Sequence, residues 1–392
     1  MKRISVIFLL VCLLCSAVSC IQMKPIDAAP GTPAGATDAP ETTQPNLPDA
    51  PALPAIAWTD AETTARLFQS FSGGVVNTSR REYSYGEMVQ DLGELARLYP
   101  EHFSYRSFGK SVLGRDLYVA TLGNPEAPRR ILVSAGIHGR EYLTPLLAMK
   151  QLEFYLAYYD EGSCAGVSYA ELFDKVCFFV VPMTNPDGIM MSQAGISTVS
   201  DPVVSQAIAN VYQKDLVSGY TQQTQLDEYL KIWKANANGV DLNRNYDALW
   251  SDYDGIRRPS HKNYKGASAA SEPETRAMVE LTESLGARAA VLCIHSQGEV
   301  LYWNCGQESE LAIRTRAFTR AISELNGYRV VLEQNNDASF SDWCALKKGL
   351  IAVTVETGVD NCPLPISQFP TIWEQNFQLL AHSAAYFTHP YG

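Results

Sequence analysis

Four continuous apolar runs stand out in the pattern of hydrophobic and polar positions along the chain. They lie within residues 129–139, 175–188, 288–298 and 349–358, and they are rich in Val, Ile, Leu and Phe. Runs without a regular polar alternation are typical of strands that are buried on both faces of a sheet. The pattern therefore predicts that these four segments are central strands.

Helix-like segments lie between these runs. Residues 142–158 carry leucines at near-helical spacing, and "SEPETRAMVELTESLG" has the capping-box residues Ser271 and Glu274 at its start and Gly286 at its end. The alternation of strands and helices predicts an α/β fold, with a mainly parallel or mixed sheet and helices on both faces.

The N-terminal part of the chain has a different pattern. "MKR" is positively charged, "ISVIFLLVCLL" is apolar and "SAVSC" is made of small residues, so residues 1–20 are predicted to be a secretory signal peptide. Residues 21–57 are rich in Pro, Ala and Thr and are predicted to be a disordered tether. Residues 58–392 have the composition of one large globular domain.

The end of the predicted signal, "AVSC", also resembles a bacterial lipobox. In that interpretation Cys20 is the lipid-bearing first residue of the mature protein, and the membrane is reached through this anchor. Ordinary cleavage after Ser19 is the alternative. Both interpretations predict an extracytoplasmic protein of the bacterial cell envelope, which is lipid-anchored in the first case and secreted in the second.

Charge and cysteine content narrow the interpretation further. The 392-residue chain has a formal net charge of -11, which argues against a nucleic-acid partner. Six cysteines follow the predicted signal, and an exported chain could join them in three disulfides of unknown connectivity or keep some as buried thiols. Two of them lie inside apolar runs. The six are Cys164, Cys177, Cys293, Cys305, Cys344 and Cys362.

Each apolar run is followed by polar side chains that could carry chemistry. In an open α/β sheet, ligands bind beyond the carboxyl ends of the strands, so these side chains are predicted to converge. Two histidines and one carboxylate leave an open position on zinc for water, and a further carboxylate can take a proton from that water. The residues in question are His138 and Glu141, then Asn185 and Asp187, then His295, and then Glu356.

Two further polar segments have candidate roles. Arg244 lies in the loop "NANGVDLNRNYD", and an arginine in a partly dry pocket is the natural bidentate partner of a substrate carboxylate. Asp187 in "NPDG" is either part of a turn or a residue that orients a ligand histidine. The sequence leaves both options open.

The motifs "HGRE", "NPDG", "GVDLNRNYD", "IHSQGEVLYW" and "VTVETG" occur in this order within residues 138–358. Together they resemble the zinc carboxypeptidase family typified by carboxypeptidase A. The resemblance implies a mixed, mainly parallel eight-stranded twisted sheet with helices on both faces and one Zn²⁺ per chain. It assigns His138, Glu141 and His295 as zinc ligands, Glu356 as the catalytic base, and Asn243 and Arg244 as the residues that hold the substrate carboxylate.

The sequence departs from the digestive members of that family at three places. Lys234 in "IWKAN" stands where an arginine assists oxyanion stabilisation, and lysine keeps the charge without the planar fork. Gln297 stands two residues after the third predicted ligand, where those enzymes have a tyrosine. The stretch "VLEQNNDASF" contains no counterpart of their mobile tyrosine, and the predicted specificity position near Ser341 is small.

The segments "WKANANGVDLNRN", "YKGASAASEPETRA" and "HSQGEVLYW" resemble a bacterial branch that includes γ-D-glutamyl-diaminopimelate peptidases. This resemblance implies a monomeric metallopeptidase whose partner is a peptide or muropeptide substrate, with peptidoglycan stem peptides as the favoured target. A general metallocarboxypeptidase that removes C-terminal amino acids is the first alternative. A non-catalytic family member that binds cell-wall peptides is the second.

Overall fold

The four apolar runs form the centre of one sheet in the computed structural model of the chain. The structure describes residues 61–286, 289–304, 310–333 and 337–388, and these belong to one compact unit. The strands of this described part are β1 (Phe103–Lys110), β2 (Asp116–Leu122), β3 (Arg129–Ala135), β4 (Ser163–Cys164), β5 (Val167–Ser168), β6 (Val176–Val181), β7 (Ala289–His295), β8 (Val300–Asn304), β9 (Arg329–Glu333) and β10 (Ile351–Glu356).

Eight of the described strands form one mixed sheet in the order β1-β2-β6-β3-β7-β10-β8-β9. The four predicted strands β6, β3, β7 and β10 are neighbours and pair in parallel. Strands β1, β2 and β8 add antiparallel pairs, and β9 pairs in parallel with β8. The predicted eight-stranded mixed sheet is therefore confirmed. Strands β4 and β5 form a separate two-stranded ribbon.

Helices cover both faces of this sheet, as the sequence predicts. The described helices are α1 (Ala61–Ser70), α2 (Tyr85–Leu98), α3 (Leu143–Ala157), α4 (Tyr169–Lys175), α5 (Pro186–Ala194), α6 (Pro202–Val217), α7 (Leu226–Lys231), α8 (Pro273–Leu285), α9 (Glu310–Asn326), α10 (Phe340–Lys348), α11 (Phe369–Asn376) and α12 (Leu379–Thr388). Short 3-10 turns connect some of them, and one of these, Leu242–Arg244, contributes to the site described below.

Alternate side chains of the central strands feed two separate cores. On β3, Ile131 and Val133 pack into the core that includes α3, α11 and α12, whereas Leu132 packs into the core that includes α8 and α10. Successive side chains of a strand point to opposite faces, so a strand between two helical layers is apolar at nearly every position. This is the physical origin of the continuous apolar runs in the sequence.

The predicted capping box at the start of α8 is wrong. The helix begins at Pro273 with Glu272 at the N-cap, and no side chain caps it. The Ser271 hydroxyl accepts a hydrogen bond from Asn245 and donates one to Glu272, while the Glu274 carboxylate accepts one from the backbone of Val112. The side chains of both predicted cap residues are therefore hydrogen-bonded to other residues, and neither caps the helix. The predicted end at Gly286 is confirmed.

Most of the six cysteines after the predicted signal do not form disulfides. Cys177, Cys293, Cys344 and Cys362 are buried free thiols, so three disulfides among the six cysteines are not formed. The alternative of buried thiols is confirmed for Cys177 and Cys293, which lie on β6 and β7. Cys305 lies outside the described residues.

The predicted signal peptide (1–20) and tether (21–57) also lie outside the described residues. Within the part that is described, no helix has the combination of length and apolar character that crossing a membrane requires.

Candidate metal centre

His138 and Glu141 lie in the loop that joins β3 to α3. The strand ends at Ala135 and the helix begins at Leu143, so both predicted ligands belong to the connecting loop and neither lies in the strand or the helix. The Thr144 hydroxyl fixes this loop, because it accepts a hydrogen bond from Gly136 N at 3.0 Å and donates one to the Glu141 carbonyl at 2.9 Å. The ligand loop is therefore held from both its ends.

Gly139, between the two predicted ligands, is required by close packing. Its N–H donates to the Lys234 carbonyl at 3.0 Å, and a Cβ atom at this position would lie 2.5 Å from the carbonyl oxygen of Gly188. Asn185 ties the same segments together, because its amide group donates to the carbonyls of Ile137 and Ala235 at 3.1 and 3.0 Å. Asn185, which follows the second predicted strand, thus stabilises the loop that carries the predicted ligands.

His138, Glu141 and His295 come together in space. The Nδ1 atom of His138 lies 2.7 Å from Glu141 Oε1, and the Nδ1 atom of His295 lies 3.1 Å from Glu141 Oε2. One ligand atom from each side chain lies within 4.8 Å of the others, and the three form a group that could hold one metal ion. Each residue is 3% exposed. Two imidazoles and a carboxylate fit zinc and leave a position open for water or substrate.

The charges of the centre favour an ionised Glu141. Burial alone would raise the pKa of this carboxyl, but His138 and His295 hold the pKa well below its usual range. An ionised carboxylate is the form that binds a metal ion. The centre therefore holds its carboxylate ligand in the binding form over the physiological pH range.

Asp241 stands behind His138 and was not assigned a role from the sequence. Its Oδ1 atom lies 3.3 Å from His138 Nε2, and its side chain is fully buried. Burial raises the pKa of Asp241, but the contact with His138 and the nearby charges lower it well below the usual range. A carboxylate at Nε2 directs Nδ1 towards the metal position. The only sequence signal was its place in "GVDLNRN".

The alternative role of Asp187 as the partner of a ligand histidine is wrong. Its carboxylate accepts from the backbone N–H of Leu113 at 2.8 Å and pairs with Arg115 at 2.6 Å. Its neighbour Asn185 caps α5 by accepting from Gly188 N. The "NPDG" motif therefore begins a helix and anchors a neighbouring turn.

Glu356 is the last residue of β10 and pairs in register with His295, the last residue of β7. Thr357 reinforces this pairing, because its N–H and hydroxyl both donate to the His295 carbonyl at 2.8 and 3.0 Å. The two parallel strands thus place the predicted base and the third predicted ligand side by side at the carboxyl edge of the sheet. The Glu356 side chain is partly exposed.

Asn243 and Arg244 occupy the 3-10 turn next to the start of α10. The Asn243 carboxamide oxygen accepts from Phe340 N at 3.1 Å. Arg244 Nη2 lies 3.0 Å from Asp337 Oδ2, and its guanidinium carbon lies 5.4 Å from the ring centre of Tyr253. Neither Asp337 nor Tyr253 carried a sequence signal. Burial opposes the charge of Arg244, but Asp241 and Asp337 raise its pKa overall.

Lys234 lies beside the ligand loop through its backbone. Its N–H donates to the His261 carbonyl at 2.9 Å, and its own carbonyl accepts from Gly139. The charge of its side chain contributes to the low pKa of Asp241. The structure therefore brings Lys234 next to the ligand loop and close enough to Asp241 for its charge to act there.

The remaining described histidines have packing roles. His102 stacks on Tyr159 at 3.8 Å between ring centres, and His261 contacts the buried carboxylate of Asp215 at 2.9 Å. His382 is buried in α12, and burial lowers its pKa to about 4. His389 lies outside the described residues.

Ser339 and Asp342 form a capping box at the start of α10.

This geometry agrees with a comparison of the chain with known protein families. The family model for zinc carboxypeptidases matches residues 88–379, which is most of the chain. The chain belongs to the zinc carboxypeptidase family. It is therefore a zinc metallopeptidase, and its cofactor is zinc.

Individual relatives include endopeptidases and carboxypeptidases. Gamma-D-glutamyl-L-diamino acid endopeptidase 1 of Lysinibacillus sphaericus is 31% identical over 300 residues, which cover 76% of this chain and 70% of that protein. Carboxypeptidase B of Canis lupus familiaris is 24% identical over 305 residues, which cover 73% of this chain and 66% of that protein. The crystal structure of carboxypeptidase A from Helicoverpa armigera has the same fold, with a TM-score of 0.60, 18% identity and coverage of 84% of this chain and 80% of that one.

Proposed function

We propose that this metallopeptidase is exported and hydrolyses peptide bonds near the C-terminal end of peptidoglycan stem peptides, with Glu356 as the general base. One observation carries the chemistry: the cluster of His138, Glu141 and His295 lies at the strand ends where Glu356 is paired in register with His295. The base and the metal ligands therefore share one edge of the sheet.

Each residue of the proposed site has a separate role in peptide hydrolysis. His138, Glu141 and His295 would hold the zinc ion, which would supply a Lewis acid for the substrate carbonyl and the attacking water. Glu356 takes a proton from the attacking water and delivers it to the leaving amine, so a C–O bond forms as the C–N bond breaks. Lys234 places a positive charge near the developing oxyanion, and Asn243 and Arg244 hold a carboxylate of the substrate.

The substrate and the location are supported by the sequence and by a relative. A relative named as a gamma-D-glutamyl-L-diamino acid endopeptidase is 31% identical over 76% of this chain. Residues 1–20 have the pattern of a signal peptide, and Cys20 follows a lipobox-like "AVS". Murein lies outside the membrane, where an exported or lipid-anchored enzyme would meet it. The intact mass of the mature N-terminus distinguishes acylated Cys20 from ordinary cleavage.

A defined muropeptide assay tests the proposal. We expect the zinc-loaded protein to release the diamino acid end of an L-Ala-γ-D-Glu-diaminopimelate peptide, with products identified by mass spectrometry. Glu356→Gln is expected to lower kcat by ~10²–10⁴-fold while zinc remains bound, because a general base contributes about this much. Turnover by the variant at the normal rate would contradict the assignment of the base.

A general carboxypeptidase is the second candidate, and the match to carboxypeptidase B supports it. It predicts cleavage of ordinary C-terminal peptides with no activity on the muropeptide, and that result would end the stem-peptide proposal. The non-catalytic alternative is not retained, because the chain belongs to a family of metallopeptidases and its predicted ligands are all in place.

A further inference from the structure

Arg244, the proposed carboxylate-binding residue, is already in contact with an acidic side chain. Its Nη2 atom lies 3.0 Å from Asp337 Oδ2, and the two side chains are 16% and 30% exposed. The guanidinium therefore has a carboxylate beside it, and the carboxylate is the more accessible member of the pair.

Asp337 is positioned at this place by the start of α10. Its N–H donates to Asp342 Oδ2 at 3.1 Å, and Phe340, three residues later, donates its N–H to Asn243 Oδ1 at 3.1 Å. The segment that carries Asp337 is thus hydrogen-bonded both to the cap of α10 and to the turn that carries Arg244. The ion pair therefore joins two segments that hydrogen bonds from backbone N–H groups already hold together, namely the start of α10 and the turn that carries Arg244.

The charges around Arg244 are poorly suited to a substrate that ends in a carboxylate alone. Such a carboxylate would approach Arg244 with Asp337 at its side, and two like charges a few ångströms apart in a partly dry site repel each other. A positively charged group beside the substrate carboxylate removes this repulsion, because it pairs with Asp337 while the carboxylate pairs with Arg244.

We propose that Asp337 receives a free ammonium group of the substrate next to the carboxylate that Arg244 binds, so that the site selects a diamino dicarboxylic acid such as diaminopimelate. The ammonium and carboxylate of one amino-acid centre sit on the same carbon, close enough to contact both members of the pair. In the terminal residue of a peptide, a diamino dicarboxylic acid such as diaminopimelate keeps such a free centre, whereas lysine does not. Asp337 is then a specificity-determining residue, and this role rests on the proposed function.

A matched pair of substrates isolates the contribution of the ammonium group. The first is L-Ala-γ-D-Glu-diaminopimelate, and the second carries 2-aminopimelate, which lacks only the distal amino group. We expect the wild-type enzyme to favour the first in kcat/KM by about tenfold or more, as for a charge pair shielded from water. Asp337→Asn should remove most of this preference by slowing the first substrate and not the second.

Asp247→Asn is the matched control. It removes the same charge from the segment that follows Arg244, but Asp247 is 67% exposed and lies 3.8 Å from Lys347. The control should keep the wild-type preference. The proposal is overturned if Asp337→Asn changes both substrates by the same factor in either direction, or if the preference survives in the variant.

Failure of the stem-peptide function would leave this inference testable. If the wild-type enzyme hydrolyses neither peptide, calorimetric binding of mono-Nα-acetyl-diaminopimelate and Nα-acetyl-2-aminopimelate to the zinc-loaded protein replaces turnover. Tighter binding of the first compound that is lost in Asp337→Asn supports the role of Asp337. Equal binding of the two compounds by the wild-type protein overturns it.

Discussion

His138 has two ring nitrogens, and its surroundings give each nitrogen a separate task. Nδ1 faces Glu141 and the metal position, while Nε2 faces Asp241 at 3.3 Å. Asp241 is in turn held by the N–H of Asn263, which donates to its other carboxylate oxygen at 3.0 Å. A carboxylate behind a ligand histidine fixes the ring orientation and increases the basicity of the ligand nitrogen.

At the residue scale, Asp241→Asn is expected to weaken zinc binding by ~10–100-fold, because the amide no longer carries the charge that supports His138. Competition with a chromophoric chelator measures the zinc dissociation constant directly. Asp247→Asn, which removes an exposed carboxylate six residues away, should bind zinc as the wild-type protein does. Unchanged affinity in Asp241→Asn would mean that this aspartate does not support the ligand.

Carboxylates from two helices hold the turn between β1 and β2. Glu274 of α8 accepts from Val112 N at 3.1 Å, and Asp187 of α5 accepts from Leu113 N at 2.8 Å. Burial, and then the charge of Asp187, raise the pKa of Glu274 to about 7. This tertiary use explains why Glu274 does not cap its own helix and why Asp187 does not reach a ligand histidine.

At the element scale, the raised pKa of Glu274 makes the free energy of unfolding depend on pH, and the direction of this dependence follows from the shift. The folded protein keeps this proton up to about pH 7, whereas the unfolded chain loses it near 4.5. The folded state therefore binds more protons in this window, and the free energy of unfolding falls as the pH rises, by up to about 3 kcal/mol from this group.

Glu274→Gln should reduce the loss of stability between pH 5 and pH 8, as measured by urea denaturation of the metal-free protein. Glu280→Gln, at an exposed position of the same helix, should keep the wild-type difference. An equal loss of stability in Glu274→Gln and in the wild-type protein would show that Glu274 does not titrate in this window.

The metal centre joins distant parts of the whole molecule. His138 and Glu141 follow β3, His295 ends β7, and the Asp241 segment packs behind them, so a bound ion contacts side chains that are far apart in sequence. An unfolded chain cannot hold these ligands together, and a ligand that binds only the folded state stabilises that state.

At the scale of the whole molecule, removal of zinc should lower the melting temperature. When free zinc is about 1,000-fold above its dissociation constant, the bound ion adds about 4 kcal/mol to the free energy of unfolding. Thermal melts with and without a chelator measure the shift. His295→Ala should lose the shift, and His102→Ala should retain it, because His102 stacks on Tyr159 and is not a member of the ligand group. The same shift in His295→Ala would place the zinc elsewhere.

Local patterns in the sequence predict the central elements and the candidate ligands. The four apolar runs become β3, β6, β7 and β10 because a strand between two helical layers must be apolar on both faces. His138, Glu141 and His295 are recognisable because each follows or ends such a strand, and parallel strands bring their carboxyl ends to one edge. The predicted fold therefore needed little beyond periodicity and motif order.

Tertiary structure alone decides which partners these residues meet. Asp187 and Asp241 are both aspartates in short polar motifs, yet only Asp241 lies behind His138. Ser271 and Glu274 have the spacing of a capping box, yet both bond to other segments. The ion pair between Arg244 and Asp337 joins two loops that are 93 residues apart in the sequence. Sequence spacing determines contacts within one turn or strand, whereas contacts between loops depend on how the sheet and its two cores bring those loops together.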